Sequence, residues 1–504
     1  MIRNCWRVLS LFLSKATVKR TLTLGIAALL GTTSGFAQAG GRQPGATGIG
    51  LGAPAPAVTA PTQDVSDAQN PFLGGLSSGQ VTPGFLRLTL QDAIQRGLKF
   101  NLGLFLSGQG TQQARGARLR ALSALLPNVT AHVAESSQQV NLAAFGFPPT
   151  PGISSVRGPF SVFDARASAI ESLSLAAWNN YKASVENLNA SQLNYQNARD
   201  LVVLVSGGLY IQSLAAAARI QTVQAQLTTA ETLFNQAVDL KKAGVIAGID
   251  VLRAQVEYQV QQQRLVAARN EFDKQKLQLA RAIGLPVGQE IQLAETTMPF
   301  VPVPPLPFEQ ALDRALSNRA DYKAAKTQVR AAELTRKAAI GQALPSIQFN
   351  ADYGTIGPNP GNSHGTFTAA GALVIPIFQG GRVKGDVQQA DALIAQRRAE
   401  ADDTRNRIEF EVRSAFLDLN SAAQQVEVAR SSVDLAQQQV VQAQDRFAAG
   451  VTNNIEVIQA QEALATTNDN YINSLLAHNL AKLSLARALG VAEEATKEFL
   501  GGTQ

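Results

Sequence analysis

From Ile408 to Phe447 the chain reads IEFEVRSAFLDLNSAAQQVEVARSSVDLAQQQVVQAQDRF. Taken at alternating spacings of four and three, it offers Ile408, Val412, Ala415, Leu419, Ala422, Val426, Ala429, Val433, Ala436, Val440, Ala443 and Phe447, all apolar. A repeat averaging 3.5 residues, sustained this long, is the coiled-coil period. Small residues alternate with large ones, which predicts close helix approach, since Ala admits a neighbouring backbone nearer than Leu does. No Pro interrupts Arg382 to Ala449. The spacing therefore predicts one helix of sixty-odd residues, roughly 90 Å long at ~1.5 Å per residue. Gly450 ends it as a cap of positive φ, and a second helix runs back from about Asn454 to Gly490.

The same pattern is written twice. Moved back by 206 positions, the apolar series falls on Val202, Ser206, Leu209, Ser213, Ala216, Ile220, Val223, Leu227, Ala230, Phe234, Ala237 and Lys241, mostly apolar again. Ala243-Gly244-Val245 recurs as Ala449-Gly450-Val451, and the run Leu279 to Gly284 recurs as Leu485 to Gly490. Upstream, Leu88 to Arg96 recurs as Leu306 to Arg314 and Leu126-Pro127 as Leu344-Pro345, at an offset of 218. The difference of 12 residues places a length change around Asn141 to Pro149, as a surface loop permits. A rod from Lys182 to Lys242, ended by Gly244, and a return helix from near Asp250 complete the first copy.

Between each Leu-Pro pair and its rod the period changes to two. Ile347, Phe349, Ala351 and Tyr353 alternate with Ser346, Gln348, Asn350 and Asp352; then Phe367, Ala369, Gly371, Leu373, Ile375 and Ile377 share a face opposite Thr366 and Thr368. The first copy is weaker, with Val129, Ala131 and Val133 against Thr130 and His132, and Phe163, Ala165, Ala167 and Ala169 against Asp164, Arg166 and Ser168. Each copy thus supplies one hairpin of strands about ten residues long, the length of a membrane-barrel wall. Alternation alone suits a half-buried soluble sheet equally. Hairpins at the end of long rods have no globular core to cover them, which favours lipid. Four strands cannot close a barrel, and open edges in lipid leave backbone groups unpaired. Oligomerisation is expected; three subunits give twelve strands and leave a lumen, whereas two give a filled barrel.

Composition fits this reading. The 504 residues are 45% hydrophobic and 16% charged, enough for a folded chain. The net charge of +6 includes Arg3, Arg7, Lys15, Lys19 and Arg20, and without residues 1 to 39 only +1 remains. Nucleic-acid binding is excluded, because no global basic field and no stretch of cations interleaved with aromatics is left. Those five cations, the apolar run Leu22 to Leu30 and Ala37-Gln38-Ala39 form a cleavable secretion signal; the apolar run is about half the ~20 residues needed to span a bilayer. No other segment approaches a transmembrane helix. Cys5, the single cysteine, lies in the leader, so the mature chain forms no disulfide. His132, His364 and His478 lack metal-ligand spacing, Gly48 to Gly52 has no preceding strand, and Asp402-Asp403 lies on a rod. No catalytic residue, cofactor or metal is expected.

The chain divides into a signal peptide (1–39), a flexible Gly/Pro/Ala-rich segment (40–85), a first repeat (86–284), a Pro-rich linker (285–305), a second repeat (306–490) and a C-terminal tail (491–504). Two copies of helix, hairpin, long helix, Ala-Gly-Val turn and returning helix resemble the TolC-like outer-membrane efflux proteins. The most specific residues are Val374-Ile-Pro376-Ile-Phe378-Gln-Gly380-Gly381 at the strand-to-helix junction, and Phe447-Ala-Ala-Gly450-Val451 with Glu456-Val-Ile-Gln459-Ala460 beyond the rod. The first copy departs at the junction, where Leu173 to Asn180 carries Trp178 but neither Pro nor a Gly pair.

The resemblance implies a membrane α+β fold: a trimeric twelve-stranded outer-membrane barrel continued by a long periplasmic helical coiled-coil barrel. It implies a homotrimer in outer-membrane lipid that meets a periplasmic adaptor protein and an inner-membrane pump, as the exit duct of a tripartite efflux or type I secretion system. By the same resemblance, Asp250, Glu456 and Gln459 are periplasmic gate candidates, and Gly244, Val245, Gly450 and Val451 are hairpin-turn and adaptor-docking candidates. Gln459 departs from an often acidic position. Asp250 and Glu456 also suit the positive end of a helix, and Trp178 and Phe378 suit either a membrane boundary or simple packing. The competing function is a periplasmic or surface coiled-coil scaffold without a pore.

Overall fold

The computed structural model describes residues 70–77, 81, 83–148, 152, 154–302, 306–449, 451–452 and 454–494. Residues 1–39, read as a signal peptide, and Gly450 lie outside the described residues. Each copy opens with two short helices: α1 (Leu90–Phe100) and α2 (Leu102–Ser123) in the first, α5 (Phe308–Asn318) and α6 (Ala320–Gly341) in the second. Hairpins follow, β2 (Asn128–Asn141) with β3 (Val156–Leu173), and β5 (Ser346–Gly357) with β6 (His364–Val374). The rods are α3 (Leu175–Lys242, 68 residues) and α7 (Arg382–Ala448, 67 residues), each followed by a return helix, α4 (Gly248–Ala282) or α8 (Asn454–Ala488). At ~1.5 Å per residue each rod is roughly 100 Å long.

Of the twelve α7 positions predicted to face inward, all but the half-buried Val433 are buried. The two copies build matching cores. Ala311, Ile408, Val412, Leu485 and Leu489 form one, and Ala93, Leu209, Leu279 and Ile283 form its counterpart. Gly284 and Gly490, at φ +69° and +70°, close the return helices against the short-helix layer. A Cβ at Gly284 would fall 2.5 Å from the Phe100 Cβ, and one at Gly490 2.9 Å from the Arg319 nitrogen, so both positions need glycine for space as well as for φ. Asn101 links these layers: its Oδ1 accepts from Gly103 N at 2.9 Å, and its Nδ2 donates to Phe72 O at 2.6 Å and Ala282 O at 3.1 Å.

Several expectations change. The end of the segment expected to be flexible is docked: Pro71–Leu73 forms a 3-10 turn, Leu76 N donates to Phe100 O at 2.7 Å, and Leu102 N to Gly74 O at 2.9 Å. The region between the copies contains a short strand, β4 (Ile291–Leu293), parallel to β1 (Leu86–Leu88). Helix α3 does contain a stretch long and apolar enough to cross a membrane, contrary to expectation, but most of it is buried within the chain. Its Ile211, Leu214 and Ala215 pack with Ile472 and Leu475 of α8.

The strands form one antiparallel sheet in the order β2-β3-β5-β6. Register sets Val129, Ala169, Ala351 and Ala369 in one row and Ala131, Ala167, Tyr353 and Phe367 in the next, so the predicted apolar faces coincide. Tyr353 and Phe367 are 74% and 78% exposed. The first hairpin is longer than expected, at 14 and 18 residues. Pairing of β3 with β5 stops at Phe163 opposite Gly357, and Val156 to Val162 continue with β2 alone, roughly 20 Å at ~3.3 Å per residue. Ile375 and Ile377 fall outside β6, which ends at Val374 before the proline that cannot donate to the ladder.

Candidate functional site: the open edges and the periplasmic tip

The contacts define a wall. Near the sheet, α2 packs on α3, α3 on α6 and α6 on α7; further along, α4 packs on α3, α3 on α8 and α8 on α7. Among the described residues, strand β2 pairs only with β3, and β6 only with β5. One margin therefore carries β2, α2 and α4, and the other β6 and α7. Helix α7 presents Phe410, Leu417, Val428 and Leu435, between 63% and 71% exposed, in a straight stripe opposite its buried face. Helix α4 presents Leu252, Val256, Val266 and Leu277, between 48% and 68% exposed, on one side. Neither stripe is legible in the heptad pattern.

At the far end of the rods the chain turns sharply. Gly244 has φ +76°; its N–H reaches Lys241 O at 3.0 Å and the Val245 N–H reaches Leu240 O at 2.9 Å, the paired bonds of a Schellman cap. Val451 N repeats the outer bond to Arg446 O at 3.0 Å. Val245 and Val451 stand 64% and 70% exposed. Asn454 Nδ2 donates to Asp250 O at 2.7 Å, so the two turns are tied side by side. Phe447 and Val457 pack with Leu233 and Leu240 just behind them.

The acids lie at this tip, each beside a cation. Arg253 Nη1 donates to Asp250 Oδ1 at 3.2 Å. Glu456 accepts from Thr452 Oγ1 at 2.5 Å, and Arg446 Nη1 lies 3.6 Å from its Oε1. Both acids sit in the first turn of a helix, where the macrodipole favours them. Gln459 is exposed one turn beyond.

The junction residues lie at the opposite end, beside the sheet. The first copy passes from β3 to α3 through Ser174 alone, whose Oγ accepts from Ala177 N at 3.1 Å and caps the helix directly after the strand. The second uses residues 375–381, with Gly380 at φ +59° and Gly381 at φ +84° beyond Pro376. Trp178 is 46% exposed and tilted against Tyr181, with Lys182 Nζ 5.2 Å from its ring; Phe378 is 88% exposed.

Sequence reading missed two buried polar groupings. Arg319, 1% exposed, bonds Asp321 through Nη2 at 2.6 Å and pairs with Glu411, while Arg487 Nη2 lies 3.7 Å from Asp321. Burial opposes the Asp321 carboxylate, but the Arg319 hydrogen bond and charge outweigh it and hold its pKa below the usual range. Lys482, also 1% exposed, donates to Val301 O at 3.0 Å, and burial pushes its pKa down to about 8.

A four-stranded wall with an apolar outer face, two open margins and helical hairpins ending in exposed turns defines the subunit of an outer-membrane duct. The chain belongs to the outer membrane efflux protein family, which matches residues 109–285 and 311–491. It is 24% identical to the pyoverdine export outer membrane protein OpmQ of Pseudomonas putida, over 75% of this chain and 81% of that one. It is 23% identical to the outer membrane protein TolC of Escherichia coli, over 64% and 67% of the two chains. The Campylobacter jejuni CmeC outer membrane channel superposes with a TM-score of 0.72 at 16% identity, covering 84% of this chain and 92% of that one. The protein is thus an outer-membrane channel of the efflux and secretion class, reaching into the periplasm, in a family of channels rather than enzymes.

Proposed function

We propose that three copies close margin to margin into a twelve-stranded barrel continued by a helical tunnel. The assembly takes substrate from an inner-membrane pump through a periplasmic adaptor and releases it outside, catalysing no reaction. The observation that carries this reading is the pair of open margins along the whole subunit. In lipid, each unpaired backbone group on β2 and β6 costs several kcal/mol, and pairing β6 of one copy with β2 of the next removes both edges at once. Twelve strands leave a lumen where eight would be filled by side chains.

Within this assembly Val245 and Val451, with Gly244 and Gly450, form the turns an adaptor docks against. Asp250, Glu456 and Gln459 line the periplasmic entrance, and Trp178, Pro376, Phe378, Gly380 and Gly381 mark the membrane boundary. The division at 285–305 into two repeats follows from the same duplication. Planar-bilayer recording tests the proposal: purified protein is expected to insert and give discrete conductance steps, and an outer-membrane protein that never conducts contradicts it. Pyoverdine export, as the name of OpmQ states for that protein, is a task compatible with such a duct.

A further inference from the structure

Midway along the sheet, the face opposite the exposed aromatics carries one charged cluster. Arg166 of β3 donates from Nε to Asp164 Oδ1 at 2.6 Å, its Nη2 pairs with Asp164 Oδ2, and its Nη1 lies 3.6 Å from Asp352 Oδ1 on β5. The side chains of Asp164 and Asp352 are only 18% and 19% exposed. Asp352 Oδ1 is buried without a hydrogen bond, so the attraction of Arg166 is what holds it. Over the rungs that β3, β5 and β6 share, these three are the residues of full charge on this face; Glu171 lies on the other.

Gly354 fixes the geometry. It stands directly opposite Arg166 in the register, and a Cβ there would fall 2.5 Å from both the Arg166 Cα and Cγ. The missing side chain lets the arginine lie flat along the wall between two carboxylates. Two carboxylates and one guanidinium leave one unit of negative charge per subunit. On a low-dielectric wall around water, a ring of such charge raises the local concentration of the opposite ion.

We infer that Asp164, Arg166 and Asp352 form a cation-favouring selectivity belt inside the barrel, separate from the acids at the periplasmic tip, with Arg166 limiting its strength. The inference rests on the channel reading, in which this face lines the lumen. The belt acts on any cationic solute, inorganic or organic, and weakens with salt, because screening sets in over ~10 Å at 0.1 M.

The test is the K+/Cl− permeability ratio of single channels in planar bilayers, from reversal potentials in a low-salt KCl gradient. Arg166→Gln is expected to raise the ratio roughly twofold or more and Asp352→Asn to lower it comparably. The double variant, with the original net charge, returns it to the wild-type value. Channels that conduct normally with the ratio unmoved by Asp352→Asn overturn the belt, and that variant decides alone where Arg166→Gln does not assemble. A wild-type protein that never conducts overturns the channel reading instead.

Discussion

Lys482 holds a charge where water does not reach, with one carbonyl, Val301 O, as its acceptor. Its pKa falls from 10.5 to about 8 on folding. The unfolded chain therefore binds the extra proton between these values, and this group's contribution to stability rises as pH climbs from about 8 to 10.5. At pH 7 the charge opposes folding by about 3 kcal/mol, and losing the carbonyl bond gives back about 1, so Lys482→Met is expected to stabilise by ~2 kcal/mol. A higher thermal midpoint for the variant at pH 7, with a smaller rise toward pH 10, checks this. At the tip, Glu456→Gln is expected to change single-channel conductance or its pH dependence; unchanged values in both remove Glu456 from the entrance. The acids were legible because they follow the repeated Gly-Val turn. Arg446 beside Glu456 was not, since the turn lies between them. Nor was Arg319, whose partner Glu411 lies 92 positions away.

The rods were legible as elements because a 3.5-residue period, repeated over the length of α7, has no other economical reading. The outward stripe was not. Phe410 and Leu417 are 7 apart, but Val428 follows after 11 before Leu435 at 7. A straight helix keeps these four on one line, whereas a strict heptad count loses them. Because Leu417 and Leu435 are 70% and 63% exposed in the single chain, replacing both with Asp is expected to leave subunit helicity within experimental error. It is expected to abolish the oligomer, read as loss of the heat-labile SDS-resistant band; a persistent band excludes the stripe from the seam. The strands were legible in alternation but not in extent. Past Phe163 the pairing with β2 shifts register between Gln138 and Val140, opposite Gly158 and Pro159, so the alternation that marks the apolar face is broken there. The two junctions differ for a local reason: Ser174 caps a helix at once, while Pro376 and the glycine pair need seven residues to turn.

At the scale of the molecule, duplication explains why the margins differ in origin yet suit each other. The first copy supplies β2, α2 and α4 to one side, and the second supplies β6 and α7 to the other. A chain built this way has no means of sealing its own sheet, because β2 and β6 are separated by the width of β3 and β5. The two-copy plan was legible from offsets of 218 and 206, but the wall-like order of the helices was not, since periodicity marks a buried face without naming its partner. The central claim is that copies of the chain complete one another in the membrane. It is tested most directly by the mass of the protein purified from outer membranes in detergent and chemically crosslinked. The account predicts a single species of three chains. A lone 53.4 kDa chain or less, with β2 and β6 amides protected from exchange by its own helices, would contradict it.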